Sequence, residues 1–242
     1  KYGTPIINGG ACDGQPCEMV IFAQGKLGGR EPNYHSDLDY VFMYEADGQT
    51  RHIKRVKGGD TTTNQHFFSK LGQRIIKVVT RLGPHGRLYE LDPRLRPTGK
   101  SGSLAVSLDE FERYFESGQG QLWERQALCK ARPVYGSPSA SARTMGVILT
   151  VIVNYDWRTS SVDEIRQMRL RILDSASTKF LIRGVGGTVV VEFTVQMMQL
   201  KSVGTHPEFL VPGTLDAIAA LHVAGELSAD DAEYFSRSYI FL

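Results

Sequence analysis

From Asp37 to Tyr44 the chain reads DLDYVFMY, a pattern that fits a strand. Period two sends Asp37, Asp39, Val41 and Met43 to one face and Leu38, Tyr40, Phe42 and Tyr44 to the other. The two carboxylates are then neighbours, roughly 6.5–7 Å apart at Cα, and can converge on one or two hard cations carrying a triphosphate. Upstream, residues 19–24 form a short apolar run that stops at Gly25, which predicts strand, turn and strand with glycines at the joint. Gly25, Gly28 and Gly29 let backbone N–H groups face an anion without a Cβ in the way, and Lys26 adds a point charge suited to phosphate. The segment lacks the Gly-Lys-Ser/Thr ending of a Walker loop, and an Asp-bearing strand follows it instead of a helix. Taken alone it also fits a hairpin with a solvated aspartate pair.

A third carboxylate shifts that balance. RLYEL, residues 87–91, reads as another short strand with Asp92 at its end, followed by the stiff segment Pro93-Arg94-Leu95-Arg96-Pro97. Laid beside the first strand it adds Asp92 to the pair, while Arg94 and Arg96 offer planar forks that suit phosphate oxygens. Each of these residues alone is as readily a turn aspartate or a solvated loop arginine.

Much of the remainder reads as helix. Thr62-x-x-Gln65 resembles a capping box ahead of an apolar face from Phe67 to Leu82, with Gly83 as the stop. Ser107-x-x-Glu110 and Ser161-x-x-Glu164 are further boxes, and Pro138 and Pro212 suit helix starts. A helix around Trp123 places Trp123, Ala127 and Ala131 on a core stripe and Arg125, Cys129 and Arg132 on a stripe facing solvent or phosphate. TVVVEFTV, residues 188–195, has the propensity of a strand. The plan is α+β: a small mixed β-sheet with helices over residues 1–137, then a helical region over 138–242 that stops within a helix, with SPSAS (137–141) as linker. A cleft between the two parts is where nucleotide and acceptor would meet.

The chain of 242 residues can bury a sizeable core, and a net charge of +2 leaves no polyanion footprint, so nucleic acid is not the expected partner. The basic run RHIKRVK (51–57) is most simply a solvated loop. No apolar stretch is long enough to span a membrane and no signal-peptide pattern opens the chain. Cys12, Cys17 and Cys129 make no disulfide framework and no matched metal pair, which points to a reducing, cytoplasmic setting. His35 adjoins the aspartate motif and reads as a loop histidine held locally.

Four ordered motifs carry a resemblance. Gly25-Lys26 followed by Ser36-Asp37-Leu38-Asp39 resembles the signature of the DNA polymerase beta nucleotidyltransferase superfamily. GKLGGRE…SDLD, LYELDPRLRPTGKSG, LWERQALCKARPVYG and GGTVVVEFTVQ together resemble the adenylyltransferases that modify glutamine synthetase, from about Met19 onward. Members carry two such halves, one attaching AMP to a tyrosine and one removing it by phosphorolysis; this chain resembles the C-terminal, attaching half. Two departures stand out. Lys26 replaces the serine common in the superfamily, as in the adenylyltransferase branch, and Val190 stands where the family has aspartate, with Glu192 kept, in a segment that the resemblance places in a helix against its strand propensity.

The resemblance implies a polymerase beta-like fold followed by a helical bundle. It implies Mg²⁺ or Mn²⁺ at Asp37, Asp39 and Asp92, with Asp92 also accepting the tyrosine proton. ATP would be held by Gly25, Lys26, Gly28, Gly29, Ser36, Arg94, Arg96 and Glu192. Glutamine synthetase is the implied protein substrate, with a nitrogen-status signalling protein and glutamine as effectors. The rivals are the phosphorolytic half, a nucleotidyltransferase with a small-molecule acceptor, and a docking or effector-sensing module without turnover.

Overall fold

Two strands buried almost continuously on both faces organise the sheet. The computed structural model describes residues 2–33, 36–52, 59–84, 86, 89–174 and 187–241; His35, most of the 51–57 basic run, Arg87, Leu88 and Gly186 lie outside the described residues. Strands are β1 (Thr4–Ile7), β2 (Met19–Ala23), β3 (Leu38–Tyr44), β4 (Gly48–Arg51), β5 (Leu91–Asp92), β6 (Ala105–Ser107) and β7 (Arg132–Tyr135). Helices are α1 (Gly25–Gly28), α2 (Asn64–Val79), α3 (Leu108–Glu116), α4 (Leu122–Leu128), α5 (Pro138–Val153), α6 (Thr159–Asp174), α7 (Thr188–Ser202), α8 (Thr214–Val223) and α9 (Ala229–Phe241). With helices beside small mixed sheets, the class is α+β. The chain divides into two units, Lys1–Gly120 with Ala131–Ile148, and Gln121–Lys130 with Leu149–Leu242.

In the first unit β2 pairs antiparallel with β3 on one side and β7 on the other, while β5 and β6 run parallel to β3 along its far edge. A separate antiparallel ribbon joins β1 to β4. Tyr40, Phe42 and Tyr44 share one apolar cluster with Met19 and Phe68, while Phe22, on the other face, meets Phe111 of α3 edge-on at 6.4 Å. The expected strand phase of residues 38–44 is therefore observed. Phe22, Phe42 and Tyr44 are essentially buried, each stabilising the fold by about 1.5–3 kcal/mol.

The caps show what period alone misses. Helix α2 starts one residue later than Thr62 suggests: the Thr63 hydroxyl accepts from the His66 N–H at 3.2 Å, because Thr62 is pinned to β4 through both the N–H and the hydroxyl of Thr50. It also ends before Gly83, at Thr80, whose hydroxyl donates to the Ile76 carbonyl at 2.7 Å. Ser107 caps α3 as expected, accepting from the Glu110 N–H at 3.2 Å. Pro138 opens α5, whereas the helix expected at Pro212 starts at Thr214, with Gly213 as its cap. Phe68 stacks on Tyr44 at 5.1 Å, and Gly72 lies so close to Phe42 that a Cβ would meet its ring at 3.0 Å. Helix α2 therefore runs antiparallel to β3, and its last turn lies toward the Asp39 end.

In the second unit α4 inverts the expected stripes. Arg125 and Cys129 are buried while Trp123 and Ala127 are half-exposed, and the helix ends at Leu128. Arg125 bonds the Val151 carbonyl and lies 5.4 Å from the Tyr155 ring centroid, so its charge is matched by carbonyl and aromatic partners. Helix α6 starts before Ser161, which accepts from the Arg158 N–H at 3.1 Å and so acts from inside the first turn. Residues 188–195 are helical despite their propensity, because Val191 and Val195 pack with Phe209, Ile218 and Leu221. No helix among the described residues is long and apolar enough to cross a membrane.

Candidate active site

The pairing of β3 with β5 builds the site. Their parallel register sets Leu38 opposite Leu91 and Asp39 opposite Asp92, and the Leu38 N–H donates to the Glu90 carbonyl at 2.8 Å. Opposed residues of a ladder share a face, and Asp37, one residue ahead of β3, is close enough for its charge to act on Asp39. Asp37 is exposed, Asp39 half-buried and Asp92 8% exposed, so the carboxylates descend from solvent into the sheet edge.

Their charges interact. Burial first, then the negative charges of Asp92 and Asp37, pushes the Asp39 carboxyl up to about 7, against the pull of Arg94. At Asp92 burial also works upward, yet Arg94 prevails and holds the carboxyl below its usual range. The Arg94 backbone N–H donates to Asp92 Oδ1 at 2.9 Å, its Nε lies 2.8 and 2.6 Å from the two oxygens, and its Nη2 pairs with Oδ2. The Arg94 side chain is nevertheless 57% exposed.

Among the described residues no group of three or more His, Cys, Asp or Glu side chains is gathered at metal-ligand spacing, and Asp92 faces Arg94 instead. The donor set still fits a hard divalent cation. It consists of carboxylate oxygens, and the excess negative charge registered at Asp39 is what such an ion offsets. Gly25 leaves the room: at φ +52°, a Cβ there would sit 2.5 Å from Asp39 Oδ2.

The glycine segment is not the open turn expected. It forms α1, in which the Gly28 N–H donates to the Gln24 carbonyl at 2.8 Å and the Gly29 N–H to the Gly25 carbonyl at 3.1 Å. These two N–H groups are therefore satisfied internally. Lys26 is half-buried on this turn. Ser36 is engaged with Asn33, accepting from its N–H at 3.0 Å and donating to its Oδ1 at 2.8 Å. Arg96 is 8% exposed and donates to the carbonyls of Pro93 at 2.6 Å and Ser103 at 2.9 Å, with Gly102 more distant at 3.4 Å, so it ties the 93–103 loop together. Glu192 belongs to the second unit, accepting from the Tyr239 hydroxyl at 2.8 Å with Lys130 Nζ at 3.6 Å.

Two residues at this site depart from the expected pattern: Arg132, expected on a helix stripe facing solvent or phosphate, lies in β7, and Gln24 had no expected role. Arg132 of β7 donates to the carbonyls of Gly28 at 2.9 Å and Leu27 at 2.8 Å, fixing α1 against the sheet. The signal was Pro133, which disfavours a helical conformation at the preceding residue. Gln24, almost fully buried, donates its backbone N–H to the Asp39 carbonyl at 2.9 Å, and its Oε1 has no hydrogen-bond partner among the described residues.

Comparison with known proteins bears on the same segment. The profile of the family described as glutamate-ammonia ligase adenylyltransferase matches residues 1–147. A bifunctional glutamine synthetase adenylyltransferase/adenylyl-removing enzyme of Shewanella frigidimarina is 34% identical over 247 residues, covering 100% of this chain and 25% of that protein. Proteins of the same name from Thioalkalivibrio sulfidiphilus and Pseudomonas putida are 36% and 33% identical, covering 99% and 100% of this chain and 25% and 24% of theirs. The chain spans about a quarter of the length of the curated relatives it matches. The profile match includes Asp37, Asp39, Asp92 and the α1 turn, and the similarity to whole relatives runs through both units; the chain belongs to the glutamate-ammonia ligase adenylyltransferase family.

Proposed function

We propose that this chain transfers AMP from ATP to a tyrosine hydroxyl of glutamine synthetase, releasing pyrophosphate, as the attaching half of a longer cytoplasmic enzyme of nitrogen assimilation. The observation that carries the reading is the Asp39–Asp92 register, which joins two acidic motifs separated by half a hundred residues of chain on one sheet edge. We assign residues 1–137 to a polymerase beta-like nucleotidyltransferase fold and the rest to a helical bundle.

The tyrosine oxygen attacks the α-phosphorus, the bond to the bridging oxygen of the β-phosphate breaks, and the pyrophosphate leaves. Asp37, Asp39 and Asp92 would hold Mg²⁺, or Mn²⁺, which would supply charge to offset the triphosphate and acidify the phenol. Asp92 accepts the phenolic proton once Arg94 lets go of it. Arg94 is exposed enough to turn onto the leaving phosphates, and that exchange removes the guanidinium that keeps Asp92 a weak base. Lys26 adds positive charge for the phosphate chain. Arg96 holds the shape of the loop that presents Arg94.

The relatives are named for an adenylyl-removing activity as well, so a second reading has phosphate attack AMP-tyrosine at the same carboxylates. Intact-mass measurement separates the two. Glutamine synthetase incubated with the chain and Mg-ATP should gain one AMP per subunit, while adenylylated glutamine synthetase incubated with phosphate should be unchanged. Loss of AMP in the second reaction with no gain in the first would reverse the assignment.

A further inference from the structure

Helix α2 turns a one-signed face to solvent. Lys70, Arg74 and Lys77 recur at i, i+4 and i+7, on the side opposite Phe68, Leu71 and Ile75, and Arg81 continues the row just past the C-cap Thr80. The sixteen residues of α2 contain no Asp or Glu. All four cations are exposed, and among the described residues none has a carboxylate partner. Lys70 Nζ donates to Gln73 Oε1 at 3.3 Å. With a whole-chain charge of only +2, this row is a local feature and not the consequence of a basic protein.

Its direction gives it a use. Phe68 lies over Tyr44 and Gly72 over Phe42, so the row advances along β3 toward the Asp39 end. Near that end two apolar side chains are exposed, Val78 at 73% on the stripe of Leu71 and Ile75 and Leu82 at 74% past the C-cap. Cations spaced about 5–6 Å apart along a helix match a row of carboxylates on a facing segment, and exposed apolar residues beside the end of the row suit a protein surface better than a phosphate backbone. We infer that the outer face of α2 is a docking strip for an acidic surface segment of the protein acceptor, leading that protein toward the carboxylates. This rests on the reading that the acceptor is a protein, glutamine synthetase.

The test is a charge-reversed variant, Lys70→Glu/Arg74→Glu/Lys77→Glu, and a neutral one with glutamine at the same positions, which avoids placing acids near the helix C-terminus. Binding to glutamine synthetase is measured at about 50 and 300 mM salt, together with AMP transfer, Mg-ATP affinity and the thermal melt. The unmodified chain should bind more weakly at high salt. The neutral variant should raise the KM for glutamine synthetase about tenfold and the reversed variant more, with kcat, Mg-ATP affinity and the melt unchanged. A chain that transfers AMP with the same KM and salt dependence in all three forms overturns the docking strip and leaves the proposed reaction standing. Salt-dependent binding lost in the variants, from a chain that transfers no AMP, keeps the strip and overturns the reaction. Absence of binding to glutamine synthetase, or binding to a single-stranded oligonucleotide that the variants abolish in its place, overturns the strip.

Discussion

Replacing Asp39 by asparagine should stabilise the metal-free fold, and the gain should depend on pH in a way the site's geometry fixes. Asp39 titrates at about 7 in the folded chain, against roughly 4 when unfolded. A carboxyl whose folded pKa is raised favours folding in its protonated form. Its contribution is whole below about 4, falls by about 1.4 kcal/mol per pH unit up to about 7, and is level above that. The total is about 4 kcal/mol. Asp39→Asn cannot ionise, so the gap between variant and parent should widen by about 2.5 kcal/mol between pH 5 and pH 8. Urea unfolding of both proteins in EDTA at those two values measures it, and the difference removes every titration the two share. A gap that stays constant with pH would refute the claim that burial, Asp92 and Asp37 jointly oppose the Asp39 charge.

Three further outcomes follow from neighbouring geometry. Mg²⁺ should raise the melting temperature of the parent, by about 2.7 kcal/mol of stability at a hundred times its Kd, and should leave Asp39→Asn nearly unmoved; equal shifts in both would place the ion elsewhere. Gly25→Ala introduces a side chain at φ +52° and 2.5 Å from Asp39 Oδ2, so it should destabilise by about 1–2 kcal/mol while transfer falls more than tenfold in the same preparation. Arg96→Ala leaves loop carbonyls without their buried donor and should lower stability by about 3 kcal/mol in denaturant titrations.

How far the chain could be read in advance depended on the range of the interactions involved. The common face of Tyr40, Phe42 and Tyr44 was legible because strand period is a local property, and the Ser107 cap was legible for the same reason. The partnership of Asp39 with Asp92 could be posed as a condition, but a strand of only two residues, Leu91–Asp92, carries too little pattern to set its own register. Arg125 and Arg96 were read as outward-facing because charge is usually solvated, whereas carbonyls of Val151, Pro93 and Ser103 satisfy them inside. Thr63 displaced Thr62 as cap through a bond to Thr50, twelve residues from Thr62 in sequence. Residues 188–195 are helical because of packing partners far along the chain, which outweigh β-propensity.

The central claim is that Asp92 joins Asp37 and Asp39 to perform adenylyl transfer, and Asp92→Asn tests it most directly. Asparagine keeps the size and much of the hydrogen bonding at the strand end while removing the charge and the proton acceptor. AMP transfer to glutamine synthetase should fall by about a hundredfold or more, with Mg-ATP still bound through Asp37, Asp39 and Lys26 and the chain still folded by its melt. Near-normal transfer by a folded, ATP-binding Asp92→Asn chain would contradict the account.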